Sequence, residues 1–182
     1  VRQVMNITDV GHLTEDDRAD ASGEDKLQKK AAELGWDPFR VARHFEQEFH
    51  RDRKRLRMLD AEHNPRATDH IAEMLTLIQT LIDRGLAYVV DGEAYFEVAA
   101  FPAYGQLAGL DLSALQDGAR ITAHQNKRSP RDFALWKRDA AHLMQWDPHA
   151  AELWSGRDQP PLTGLATGFP GWHIECSAMA MR

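Results

Sequence analysis

Ile71, Met74, Leu75, Ile78, Leu81 and Ile82 recur at helical steps as far as Gly85, and from Leu86 the apolar spacing changes to period two. A chain with that change of period lays a helix against strands, with a β-rich part following a helical one. The first pattern predicts a helix opened by Asn64-Pro65 and closed by Gly85, a residue suited to the left-handed turn that ends helices. The second predicts a hairpin: residues 87–90 and 94–98 alternate around Asp91-Gly92, a favoured pair for a two-residue turn.

Residues 2–7 alternate around Val4 and predict a short strand that delivers Asn6, Thr8 and Asp9 into a loop at its C-terminal edge, where open α/β sheets bind ligands. Residues 11–23, rich in Asp, Glu, Ser and Gly, read as a solvated loop, and residues 24–34 as a short helix ended by Gly35. Asp37-Pro38 opens a long helix whose apolar face is Ala42, Phe45, Phe49, Leu56 and Leu59. Its opposite face is basic at Arg51, Arg53, Lys54, Arg55 and Arg57; Glu46, Glu48 and Asp52 balance it and favour a solvated surface over an RNA contact. Residues 132–137 read as another strand of the β-rich module. The Gly- and Pro-rich stretch 156–171 reads as a loop returning to a main sheet, with His173-Ile174 as the next strand before a helix at the end.

A chain of 182 residues, 43% of them hydrophobic, has the material for a packed core. No apolar run approaches the roughly 20 residues that cross a bilayer, which predicts no membrane partner and a cytoplasmic location. The formal net charge of -6 argues against a dominant nucleic-acid clamp. The chain starts at Val1 rather than at a methionine and stops at Arg182 just after a motif, so both ends are expected to be cut.

Cys176 is the single cysteine. It forms no internal disulfide and is left as a packed thiol or a metal ligand. Strand alternation would put Trp172, Ile174 and Cys176 on one face, with His173 and Glu175 on the other. That arrangement lets Trp172 and Cys176 share a pocket and keeps His173 away from any metal at Cys176. Zinc takes about four ligands, and neither a CxxC pair nor closely spaced histidines supply the rest. The other eight histidines are scattered, and no Gly-rich phosphate loop or nucleophile elbow appears.

The ordered series Asn6-Ile7-Thr8-Asp9, Gly23-Glu24-Asp25-Lys26, Pro65-Arg66-Ala67-Thr68-Asp69-His70-Ile71, Asp91-Gly92, Tyr104-Gly105, Lys127 to Lys137 and Gly171-Trp172-His173-Ile174-Glu175-Cys176-Ser177-Ala178-Met179 resembles the cysteinyl-tRNA synthetase family nearly end to end. The resemblance implies an α/β fold class: part of a class I Rossmann-like catalytic domain with a helical connection and a small β-rich (α+β) inserted connective module. Residues 1–64 would end the first Rossmann half, 65–167 would hold the connecting helix and insertion, and 168–182 would open the second half. It implies zinc held in part by Cys176, a cysteine pocket lined by Thr8 and Trp172, and no catalytic residue within this stretch. It further implies ATP with magnesium, L-cysteine and tRNA(Cys) as substrates of a monomeric intact enzyme, and a fragment inactive on its own. The family's His-Ile-Gly-His and Lys-Met-Ser-Lys-Ser motifs and its other zinc ligands have no counterpart here. Val10-Gly11-His12 after Asp9, and Phe169 before Pro170, depart from the family pattern. A cysteine ligase of the mycothiol pathway, or a non-catalytic module on the same scaffold, are the other readings.

Overall fold

The computed structural model describes residues 3–10, 26–109 and 126–181. Helices α1 (Lys26–Leu34) and α2 (Pro38–Arg55) come first, then a 3₁₀ turn (Ala67–His70) that runs into α3 (Ile71–Asp83). Strands β1 (Ala87–Val90), β2 (Glu93–Phe96), β3 (Phe133–Arg138) and β4 (Gly168–Pro170) follow, and α4 (Trp172–Ala180) closes the chain. The acidic loop over 11–23 lies outside the described residues.

The helix starts follow local chemistry, with one exception. The Asp37 carboxylate accepts a 3.0 Å hydrogen bond from the Arg40 amide, and Pro38 occupies the first turn of α2. The Asn64-Pro65 signal, by contrast, opens no helix. The backbone of residues 63–66 runs parallel to residues 4–7, with Ile7 N–H donating to the Pro65 carbonyl at 2.8 Å and Ala67 N–H to the Ile7 carbonyl at 2.9 Å. That pairing holds the chain extended, so α3 begins only at Ile71. The predicted strand over 2–7 is accordingly two isolated bridges, at Val4 and Ile7.

α2 ends earlier than its apolar pattern suggests. Arg57 takes a left-handed φ of 55°, Met58 N–H donates to the Arg53 carbonyl and Arg57 N–H to the Lys54 carbonyl, a Schellman turn built without glycine. Leu56 and Leu59 therefore lie beyond the helix, 73% and 88% exposed, and Phe45 and Phe49 also face outward. The buried face is Pro38, Val41, Ala42 and Arg53. Arg53 donates to the Leu59 carbonyl, while Arg51 pairs with Glu48 and Arg55 with Asp52 along the surface. At the end of α3 the same turn uses Gly85, with Leu86 N–H donating to Leu81 and Gly85 N–H to Ile82.

The four strands form one antiparallel sheet in the order β1-β2-β3-β4. Asp91 and Gly92, at φ 54° and 86°, make the hairpin turn, and a register shift at Ala94/Tyr95 bends β2 on β3. The segment expected to be loop up to 171 thus contains β4, which pairs with β3 rather than leading to a separate strand at His173-Ile174. Residues 172–180 are helical instead. α3 and α4 pack on one face of the sheet, around the fully buried Trp136, whose indole N–H donates to the Ala166 carbonyl at 2.9 Å.

The other face explains most of the Lys127–Lys137 motif. Tyr88 and Tyr95 are buried and stacked at 5.7 Å; the Tyr88 hydroxyl donates to Asp132 and accepts from the Arg128 amide. Asp132 also accepts from the amides of Val98 and Ser129, so one carboxylate ties three segments together. Burial, reinforced by Asp132, pushes the Tyr88 hydroxyl up to about 12; burial and Glu93 push Tyr95 upward too. A folded state that keeps protons the unfolded chain gives up near pH 10 is stabilised by them below that pH and loses this stabilisation as pH climbs toward 12. In a Tyr104→Phe chain, phenolate absorbance is expected to rise only together with alkaline unfolding. Ionisation near pH 10 with the fold intact would contradict it.

Candidate functional site

The residues singled out from the sequence come from two segments, residues 6–9 and the first turns of α4. Gly171 caps α4 with extended backbone and no side-chain cap. Helical geometry replaces the strand alternation: Trp172 and Cys176, four apart, share a face, and Ile174 turns away from them into the core with Ala178. Trp172 is 47% exposed and Cys176 is an exposed free thiol. His173 is three residues from Cys176, so helical spacing does not separate the two as a strand would. Its ring packs on Phe133 at 4.5 Å and stacks on Trp172 at 3.7 Å, and burial holds its pKa below the usual imidazole value.

Glu175 is the residue that sequence reading missed. Strand alternation would have turned it outward beside His173; on the helix it is 1% exposed, with Oε2 lacking a hydrogen-bond partner. Burial, and then the charge of Asp9, raise its pKa to about 8. α4 packs on the 3₁₀ turn Ala67–His70, and Val10 belongs to the same core as Ile174 and Ala178.

Thr8 is exposed between two anchored neighbours. On one side Ile7 is paired to residues 65–67. On the other the buried Asp9 carboxylate accepts three hydrogen bonds: Thr68 N–H at 2.9 Å, Thr68 Oγ1 at 2.7 Å and Arg43 Nη1 at 2.9 Å. Arg43 Nη2 donates in turn to Thr68 Oγ1 at 3.0 Å, and its Nη1 reaches Glu46 at 3.2 Å. Arg66 Nε sits 2.9 Å from both Glu46 oxygens. Burial alone would raise the Glu46 carboxyl, but Arg66 and Arg43 outweigh it and hold it below the usual carboxylate range. Thr8, Trp172 and Cys176 thus stand on segments that meet where Asp9 and Glu175 lie. Among the described residues no group of three or more His, Cys, Asp or Glu side chains is placed to hold a metal, so Cys176 offers a single donor. Among the described residues no helix is long and apolar enough to cross a membrane.

Residues 1–182 match the family model of the class I (C) tRNA synthetase catalytic domain, and the chain belongs to that family. The similar proteins narrow the class. The chain is 46% identical to the cysteine–tRNA ligase of Deinococcus radiodurans, over the whole of this chain and 33% of that protein. It is 45% identical to the cysteine–tRNA ligase of Chlorobium luteolum and 42% identical to that of Thermus thermophilus, in each case over the whole chain and 34% of the relative. The chain spans about a third of the length of the curated relatives it matches.

Proposed function

We propose that this chain is the amino-acid-recognising portion of a cysteine–tRNA ligase, an aminoacyl-tRNA ligase that activates L-cysteine with ATP and magnesium and transfers it to tRNA(Cys). The observation that carries the reading is that Trp172 and Cys176 are exposed on one face of α4, a helix packed on the turn that binds Asp9 beside Thr8. The 40–46% identity to proteins named cysteine–tRNA ligases supports it. In this reading residues 1–64 end the first half of a Rossmann-like domain, 65–167 form the connecting helix and inserted module, and 168–182 open the second half. β4 is then the strand by which the insertion hands the chain back to α4. The intact enzyme would be a cytoplasmic monomer.

The residues divide the work by their chemistry. Trp172 presents an aromatic face to the substrate side chain, and Thr8 a hydroxyl held by its anchored neighbours. Cys176 fits one position of a zinc site, being an accessible thiol on a rigid helix; the other ligands would come from outside the described residues. Zinc, when bound, supplies a soft Lewis acid that prefers a substrate thiolate to a hydroxyl or methyl group. A site built on such a bond rejects analogues lacking it by roughly four orders of magnitude without an editing step. The test is ATP–pyrophosphate exchange by the intact protein. Cysteine is expected to drive exchange, with serine and alanine at least about a thousandfold weaker in kcat/KM. Exchange driven equally by serine, or none with cysteine, would sink the assignment.

A further inference from the structure

The segment that carries Thr8 is held by little backbone. Among the described residues its last main-chain hydrogen bond is the one from Ala67 N–H to the Ile7 carbonyl. Beyond it, the course of Thr8 is set by how Asp9 is held and by the burial of Val10. Asp9 is held chiefly through Thr68. Its amide donates to Oδ1 and its hydroxyl to Oδ2, and that hydroxyl also accepts from Arg43. A threonine hydroxyl has one proton and two lone pairs, so it serves as donor to the carboxylate and acceptor from the guanidinium together. Valine has the same shape and keeps the backbone N–H, but it removes both of these bonds.

The Asp9 carboxylate is buried, and among the described residues Arg43 is the only cation paired with it. Arg43 is shared with Glu46, which Arg66 holds from its far side. The arrangement is a latch with α2 and the 3₁₀ turn as its frame and the Thr8–Asp9 backbone as its bolt. α4 packs on the same 3₁₀ turn that carries Thr68, and Val10 shares a core with Ile174 and Ala178. The latch therefore ties the Thr8 segment to the turn on which α4 rests.

We propose that Thr68 is a positioning residue for the amino-acid subsite, acting through Asp9 and Arg43 to set Thr8 relative to the Trp172–Cys176 face of α4. The inference rests on the cysteine–tRNA ligase reading and deepens it. A purely structural role would show as a loss shared by both substrates. A positioning role shows as a selective change in how cysteine is bound.

The experiment compares intact wild type, Thr68→Val and Thr68→Ser in cysteine-dependent ATP–pyrophosphate exchange, with thermal unfolding run alongside. Thr68→Val is expected to raise KM for cysteine about tenfold while KM for ATP stays close to wild type; the unfolding midpoint falls, because the buried Asp9 carboxylate loses a donor, but the protein remains folded at the assay temperature. Thr68→Ser, which keeps the hydroxyl, is expected to restore wild-type KM. Unchanged cysteine KM in Thr68→Val, or equal changes in the KM for cysteine and for ATP, overturns the proposal while leaving the enzyme assignment standing. Absence of cysteine-dependent exchange in the wild type overturns both. Should Thr68→Val fail to fold, Arg43→Lys reads the same latch from its more exposed side: a several-fold rise in cysteine KM alone supports the proposal, and no change overturns it.

Discussion

Gly171→Ala is expected to lower stability by about 3 kcal/mol or more and to dislodge α4 from the sheet. The reason is a close backbone approach, since Gly171 has a φ of -68°, which any residue adopts. A Cβ on Gly171 would lie 2.1 Å from the Ala134 carbonyl oxygen and 2.9 Å from its carbon. Both atoms belong to the main chain of β3, and the Gly171 amide is itself tied to the Leu135 carbonyl at 2.9 Å. No rotamer relieves that clash; either β4 leaves β3 or β3 distorts over the fully buried Trp136. Gly168 is in the same position, with a Cβ 1.9 Å from the Lys137 carbonyl. Gly35 is the natural control, because it has a left-handed φ of 64° but open space around it. Gly35→Ala should cost only about 1–2 kcal/mol. Urea unfolding of the three chains ranks them, and a Gly171→Ala midpoint no lower than that of Gly35→Ala would rule out the close approach as the constraint.

The same glycines mark where the sequence was readable and where it was not. α3 was legible because its apolar residues keep one face over three turns and a glycine ends it. The hairpin was legible because Asp91 and Gly92 both take the positive φ that their turn requires. α2 was legible at its start, where Asp37 caps it, and not at its end, where Arg57 takes the place glycine usually holds. α4 was misread at its start because its inward residues include Glu175, and a carboxylate on the buried side breaks the apolar period that identifies a helix. Gly168-Phe169-Pro170-Gly171 drew the expectation of a loop, since glycines that permit close strand contact look the same in sequence as glycines that permit turns. In the candidate site, Thr8, Trp172 and Cys176 were found through the resemblance of their motifs. Arg43 carried no signal at all. It lies 34 residues from Asp9, and Thr68 lies 59 away; contacts of that separation exist only once the chain has folded.

Cys176→Ser separates folding from chemistry in a way that Gly171→Ala does not. Cys176 is exposed on α4 and forms no disulfide, so serine should leave the stability of the zinc-free protein within about 0.5 kcal/mol of zinc-free wild type. Its expected effect lies in what the helix face binds. Serine replaces a soft thiolate donor with a hydroxyl that stays protonated at neutral pH and ligates zinc poorly. In the proposed reading Cys176 is a zinc ligand; residues that only orient a ligand through hydrogen bonds typically cost 10- to 100-fold when lost, so its replacement in the intact protein should cost about a hundredfold or more in kcat/KM for cysteine. Zinc content should fall in the same preparation, and the preference for cysteine over serine should collapse toward the roughly 10- to 200-fold level that pocket shape alone provides. Retained zinc with unchanged cysteine-dependent exchange would remove Cys176 from the metal site. Weakened exchange with full zinc and intact discrimination would assign the thiol a different task on that face. The stability measurement decides between these and simple misfolding, because an exposed Cys176 that unfolds the protein when replaced would contradict the placement of the residue itself.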